Sequence, residues 1–245
     1  DLFAYIAERY NPENMVISFA GNIDPALAED ITAKYFESAL KKRPFFPRKK
    51  QISLAGGSLF RTKDIEQVHI AFAWPSLPRE DRLADAALVM NTVLGGGMSS
   101  RLFQNVREKR GLAYSVYSYI SSFTEGGLLT VYAGVGPANV EKAQEAILDT
   151  VQQFRAEKFT DDEFSRGKEQ VKSSLILAQE STASQMLAYG KYMLYNDAEL
   201  DLEGRVRAIA EMTKEDCCLA LERNFHTEKM AAAAVGKIEK PLSVR

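Results

Sequence analysis

Histidine, cysteine and tryptophan are scarce in this chain: its 245 residues hold two histidines, two cysteines and one tryptophan. His69 and His226 stand far apart, and no HxxEH, HxxxH or CxxC spacing occurs, so the sequence shows no zinc-ligand cluster. The cysteines, Cys217 and Cys218, are adjacent. That excludes an ordinary loop-closing disulfide and leaves two small helix residues. No apolar run approaches the length of a membrane span, and no signal peptide is present. Excess charge is missing as well: 31 basic and 33 acidic residues, mixed along the chain, leave a net charge of −2. Neither nucleic acid nor an anionic membrane is therefore expected as a partner. The glycines Gly95, Gly96 and Gly97 lack the GxxxxGK[ST] arrangement of a phosphate loop and follow a helix instead of a strand. Ser99 and Ser100 have no neighbouring base and read as helix caps, not nucleophiles.

What the chain does have is enough apolar residue, 46%, to bury a sizeable core, at a length near the upper limit of one domain. Asp1 stands at the head of an apparent helix carrying Leu2, Phe3 and Ile6, and the chain does not begin with methionine. A short strand is expected over Met15–Ala20 and a helix from Pro25 to about Phe36. Residues 41–51 hold six basic residues and two prolines without periodicity, the composition of a solvated linker. Beyond it, QVHIAFAW (67–74) alternates like a strand, and a helix is expected over 80–94. After the glycine triplet a short helix carries Leu102, Phe103 and Val106 as its apolar stripe and stops at Gly111. Strands over 113–121 and 127–134 form a hairpin. Helices follow: one opened by Pro137, one capped by the Thr160–Glu163 box, two over about 182–195 and 199–211, and one from Thr213 to near Asn224. Met230–Val235 is a last strand. This order predicts an α+β fold with a mixed, largely antiparallel sheet packed against helices.

The two ends of the chain repeat one another. Tyr10, Glu13, Met15, Gly21 and Ile23 match Phe225, Glu228, Met230, Gly236 and Ile238, each pair 215 positions apart, without a gap. The repeat implies that residues 1–40 are the end of an earlier half, most of which this sequence does not contain, and that residues 52–245 form a second, related domain.

One stretch concentrates chemistry: LGGGMSSRLFQNVREKRGLAYSVYS, residues 94–118. Its glycines allow positive φ and leave no side chain between the main chain and anything docking on it. A tight reversal separates Arg107, in the last helical turn, from Tyr114, at the start of a strand. Two readings of the pair stand open. Arg107 complements a helix dipole while Tyr114 packs at the surface; or a guanidinium and a phenol, both donors at neutral pH, converge on a carbonyl oxygen and stabilise developing negative charge.

Residues 94–118, with NPENMVISFAGNID, EQVHIAFAWP and FTDDEFSRGKEQVKSSLILAQES, resemble the C-terminal half of the pitrilysin, insulinase and mitochondrial processing peptidase family, in its bacterial processing-protease-like branch. The resemblance covers nearly the whole chain. It implies two homologous α+β halves closing around an extended peptide, with the zinc and its HxxEH ligands in an N-terminal half absent from this sequence. Arg107 and Tyr114 match the R-x6-Y arrangement of the family's second half, which implies that they hold the substrate main chain and help stabilise the oxyanion formed by zinc-bound water. Gly95–Gly97 are candidate substrate-binding residues lining the chamber, and a helix-to-helix turn explains the three glycines equally well. The implied substrate is an unfolded peptide or presequence, the implied partner this chain's own catalytic half or a homologous subunit, with a homodimer as a further arrangement. A cytoplasmic location follows from the same resemblance. The family also includes subunits without the metal motif that act as structural or peptide-binding partners, which is the alternative role.

Overall fold

Strict alternation along residues 68–76 builds the centre of the sheet. In the computed structural model, which describes residues 1–37, 55–196, 198–225 and 229–244, Val68, Ile70, Phe72 and Trp74 are all at most 1% exposed. The five strands are β1 (Gly57–Thr62), β2 (Val68–Ser76), β3 (Ala113–Ser122), β4 (Gly127–Val135) and β5 (Ala231–Gly236), ordered β1-β5-β2-β4-β3. Only β1 and β5 pair in parallel; the other three pairings are antiparallel. The mixed, largely antiparallel sheet expected from the sequence is thus present. β1 had no counterpart in the sequence reading: its residues are nearly all exposed, so no alternation marks them.

Register explains the core. Val68, Ile70, Phe72 and Trp74 of β2 face Val135, Ala133, Val131 and Leu129 of β4, so both strands present apolar side chains to one side. The helices are α1 (Leu2–Arg9), α2 (Pro25–Thr32), α3 (Ala84–Gly95), α4 (Val140–Glu157), α5 (Asp161–Leu177), α6 (Thr182–Asn196), α7 (Leu202–Glu211) and α8 (Lys214–Asn224). Helix α3 packs on α8 and on β3, and α8 packs on β2. Helix α4 buries Val140, Ala143, Ile147, Val151 and Phe154, every position its periodicity marked. The Thr160–Glu163 box forms as expected: Glu163 N–H donates to Thr160 Oγ1 at 3.1 Å and Thr160 N–H donates to Glu163 Oε2 at 3.0 Å. Thr213 caps α8 in the same way, with Asp216 as its partner.

Two compact units divide the chain: Asp1–Lys50 with Ser173–Arg207, and Gln51–Lys172 with Ala208–Arg245. The sheet lies entirely within the second. Segment 173–207 clusters with the first, a non-contiguous grouping. The basic linker at 41–51 and His226 lie outside the described residues.

Two expectations are corrected. The helix expected from residue 80 begins at Ala84, because Asp81 forms the turn before it and accepts the Leu83 N–H at 3.0 Å. Met15–Ala20 is no strand: Met15 is extended (φ −123°, ψ 141°), yet no ladder among the described residues includes the segment. A strand exists only by pairing, and apolar alternation cannot supply the partner. Within the first unit, Met15, Ile17 and Phe19 instead line a hollow of about 730 Å³ with Ala28 and Phe36.

The 215-residue repeat survives at the level of backbone angles. Helices α1 and α8 end at Arg9 and Asn224, one offset apart. Gly21 and Gly236 both take positive φ, 131° and 146°. After each, the isoleucine two residues on donates back to the glycine carbonyl: Ile23 at 3.0 Å and Ile238 at 2.9 Å. Positive φ of this kind is glycine territory, which accounts for the residue at both places.

Candidate functional site

The site is built where α3 ends and β3 begins. Gly95, Gly96 and Gly97 terminate α3, and the reason for glycine there differs from the sequence expectation. None of the three takes positive φ; Gly96 sits at φ −84°, ψ 5°. Close packing is the cause instead. A Cβ on Gly95 would lie 2.4 Å from Ser118 Oγ and 2.5 Å from Ser118 N, and one on Gly96 would lie 2.6 Å from Thr92 Cα. Gly95 thus lets α3 sit against β3, where Asn91 Nδ2 donates to Ser118 O at 3.2 Å, Gly96 fits against the last turn of its own helix, and a Cβ on Gly97 would meet only Gln170 Nε2, at 3.7 Å. Beside it opens a shallow pocket of about 310 Å³, lined by the three glycines with Met98, Phe103, Tyr117 and Ser118.

Ser100, 2% exposed, begins the next turn; its carbonyl accepts the Gln104 N–H at 3.0 Å. Arg101 anchors this start. Its guanidinium donates to Glu163 at 2.7 and 2.8 Å, to Glu157 at 2.9 Å and to Lys158 O at 2.8 Å, with the Phe154 ring 4.7 Å away. Burial by itself would raise the Glu163 carboxyl, but the Arg101 hydrogen bond and charge outweigh it and hold Glu163 below the usual carboxylate range.

Residues Phe103–Glu108 form a π-turn, not the regular α-helix that periodicity predicts. Its wider ladder shows in Lys109 N–H donating to Gln104 O at 3.0 Å, five residues back. Leu102 and Val106 are fully buried as expected, whereas Phe103 leaves the core stripe and stays only partly buried. Two backbone bonds then clamp the reversal: Gly111 N–H to Arg107 O at 2.9 Å and Leu112 N–H to Val106 O at 3.0 Å. Gly111 takes φ 60°, the left-handed helix stop read from the sequence.

Tyr114 is the product of a β-bulge. Ala113 pairs with Val135 and Ser115 with Gly134, its immediate neighbour, so Tyr114 is skipped by the ladder. An extra residue of this kind re-aims its side chain, and Tyr114 is 75% exposed. The structure brings the two candidate residues together: Arg107 Cζ lies 5.5 Å from the centroid of the Tyr114 ring. The Phe103 ring lies 4.8 Å from the same guanidinium. Among the described residues Arg107 makes no ion pair, so its N–H donors are uncommitted. Phe103 was missed as a site residue because its spacing fits an apolar stripe; the signal that could have found it is the four-residue separation from Arg107.

The outer face of the sheet continues the site. Tyr117 and Tyr132 are directly paired across β3 and β4 with ring centroids 4.9 Å apart, and Tyr119 lies 6.1 Å from Tyr117. His69 hydrogen-bonds through Nδ1 with Tyr132 Oη at 2.6 Å. Among the described residues no group of three or more His, Cys, Asp or Glu side chains could hold a metal ion. A zinc ion, implied by the family resemblance, does not fit these side chains. The arrangement offers donors and aromatic surface: it can bind and polarise an oxygen, but within these residues nothing supplies an attacking nucleophile.

A family model described as the peptidase M16 inactive domain matches residues 1–171. The Bacillus subtilis protein named uncharacterized zinc protease YmxG is 38% identical over 227 residues, covering 89% of this chain and 51% of that protein. An uncharacterized zinc protease of Streptomyces coelicolor is 34% identical over 242 residues, covering 96% of this chain and 52% of its own length. This chain therefore spans about half the length of the curated relatives it matches. Among solved structures, a peptidase M16 inactive domain from Pseudomonas fluorescens superposes with a TM-score of 0.77 at 25% identity, covering 91% of this chain and 54% of that one. A Helicobacter pylori protease shares the fold, with a TM-score of 0.74 at 19% identity, over 88% of this chain and 54% of its own.

Proposed function

The chain belongs to the peptidase M16 family, as an inactive-domain member, and from that premise we propose that it is the substrate-holding, transition-state-stabilising part of a zinc-dependent endopeptidase. The observation that carries this reading is the Arg107–Tyr114 pair, held within 5.5 Å by a π-turn and a bulge and free of any carboxylate partner among the described residues. A guanidinium and a phenol donate without accepting protons at neutral pH. Aimed at one peptide carbonyl, they stabilise the oxyanion as it develops, which lowers the barrier because the interaction strengthens in the transition state.

Zinc belongs to the names of the relatives, and its ligands lie outside this chain, in a catalytic half of the same protein or in a homologous subunit. Gly95–Gly97 contribute by exposing main chain beside the pocket. The substrate is an unfolded peptide bound in extended form, its main chain available to strand-type hydrogen bonding.

The test is peptide turnover by the assembled enzyme. Arg107→Ala or Tyr114→Phe lowers kcat roughly ten- to a thousand-fold, the range for losing an oxyanion donor. Unchanged turnover in both variants overturns the reading.

A further inference from the structure

Two arginines leave the same helical segment and are held in opposite ways. Arg101 commits its guanidinium to Glu163, Glu157 and a backbone carbonyl. Arg107 lies near two aromatic rings, Phe103 at 4.8 Å and Tyr114 at 5.5 Å, and has no ion pair among the described residues. The difference matters chemically. Carboxylates occupy the in-plane N–H edges of a guanidinium, whereas rings attract its flat faces and leave those edges available to a ligand. We propose that Phe103 is a positioning residue, which holds the Arg107 guanidinium over Tyr114 with its N–H edge open to the substrate oxygen.

The local fold supports this assignment. Leu102 and Val106, on either side, are fully buried and fix the turn to the core. Phe103 is partly buried and does not share their complete burial. Its ring meets Arg107, four residues along, at the surface of the π-turn Phe103–Glu108. Tyr114 alone cannot define the guanidinium's position, because it is 75% exposed and unpaired in its strand. The second ring supplies the missing constraint. The motif that shapes this part of the site is consequently F-x3-R-x6-Y, not R-x6-Y.

This inference rests on the proposed role of Arg107, and its test separates the two. In the 245-residue chain, nuclear magnetic resonance of the Arg107 side chain reports ring-current shifts of its Nε–H signal. Phe103→Leu, which keeps bulk but removes the ring, moves that signal toward the value of a solvated arginine, and Phe103→Tyr leaves it in place. A signal unmoved by Phe103→Leu overturns the inference. In the assembled enzyme Phe103→Leu lowers kcat about two- to thirty-fold, the equivalent of one cation–π contact, with KM little changed and Phe103→Tyr close to the parent. In an Arg107→Ala background the same change has no further effect. An equal loss in both backgrounds shows that Phe103 acts elsewhere and overturns the inference. If Arg107→Ala lowers kcat while Phe103→Leu does not, the inference falls and the proposed function stands. If Arg107→Ala itself is without effect, both fall. Melting temperatures of all variants separate positioning from unfolding.

Discussion

Buried and surface side chains of one chemical type behave differently in this chain, and the paired cysteines show it. Burial, then the charges of Cys218 and Asp216, push the Cys217 thiol up to about 12. Its sulfur faces Met212 Sδ at 3.6 Å, away from solvent, while Cys218 is partly exposed. Since the thiolate is the reactive form, Cys218 reacts with a disulfide reagent at pH 8 and Cys217 does not. The measurement is one thiol titrated per native chain and two after denaturation; two in the native state contradict the assigned burial. Tyr114 is the converse. With three quarters of its surface exposed and no ladder position, Tyr114→Phe leaves the melting temperature unchanged even where it lowers turnover. Much at this scale was legible in the sequence: the caps at Thr160 and Thr213, the left-handed stop at Gly111 and the proximity of Arg107 to Tyr114. Phe103 was not, because a residue three or four positions from buried neighbours satisfies the apolar stripe whether it faces the core or an arginine.

Elements carry the next set of consequences. Glu163 joins the start of α5 to the turn that carries Arg107, through Arg101. Its carboxyl is held below the usual range, so it binds protons more weakly folded than unfolded. The stability it contributes is then fully present above the unfolded value, about pH 4, and is lost as pH falls through the lower folded value. Asp81 acts with the same sign: burial opposes, but the Leu83 amide and Arg223 prevail. Stability measured by denaturant titration declines with acid below about pH 4, and Glu163→Gln flattens that decline. Equal slopes in variant and parent would remove Glu163 from the account. The repeated glycines give a second comparison. A Cβ on Gly236 would meet Val68 Cα at 2.7 Å, whereas on Gly21 the nearest atom is Thr182 Cγ2 at 3.9 Å. Both alanine substitutions carry backbone strain of about 1–3 kcal/mol, and Gly236→Ala adds the clash, so its melting temperature falls further. Most elements and boundaries followed from pattern, whereas β1, Met15–Ala20 and Phe103–Glu108 did not. Strand pairing is decided by distant chain, and a π-turn has the same residue types as an α-turn.

For the molecule as a whole, every strand among the described residues pairs inside the second unit. Both units expose large apolar side chains: Leu2, Phe3 and Tyr5 in the first and Leu59 and Met98 in the second are each exposed by more than a third. No helix among the described residues is long and apolar enough to cross a membrane. Purified alone, the 245-residue chain neither cleaves unfolded peptides nor retains stoichiometric zinc after dialysis. Metal analysis showing one tight equivalent per chain refutes the assignment of the zinc ligands to another half.

The bulge at Tyr114 has a further consequence, for how the sequence can change. Along an unbroken strand, parity binds every residue to its neighbours, and altering one position's facing alters them all. By stepping out of the count, Tyr114 separates two alphabets: β3 from Ser115 onward is written for the sheet, and position 114 is released from it. Selection can therefore revise position 114 without rewriting the scaffold, and the scaffold without moving position 114.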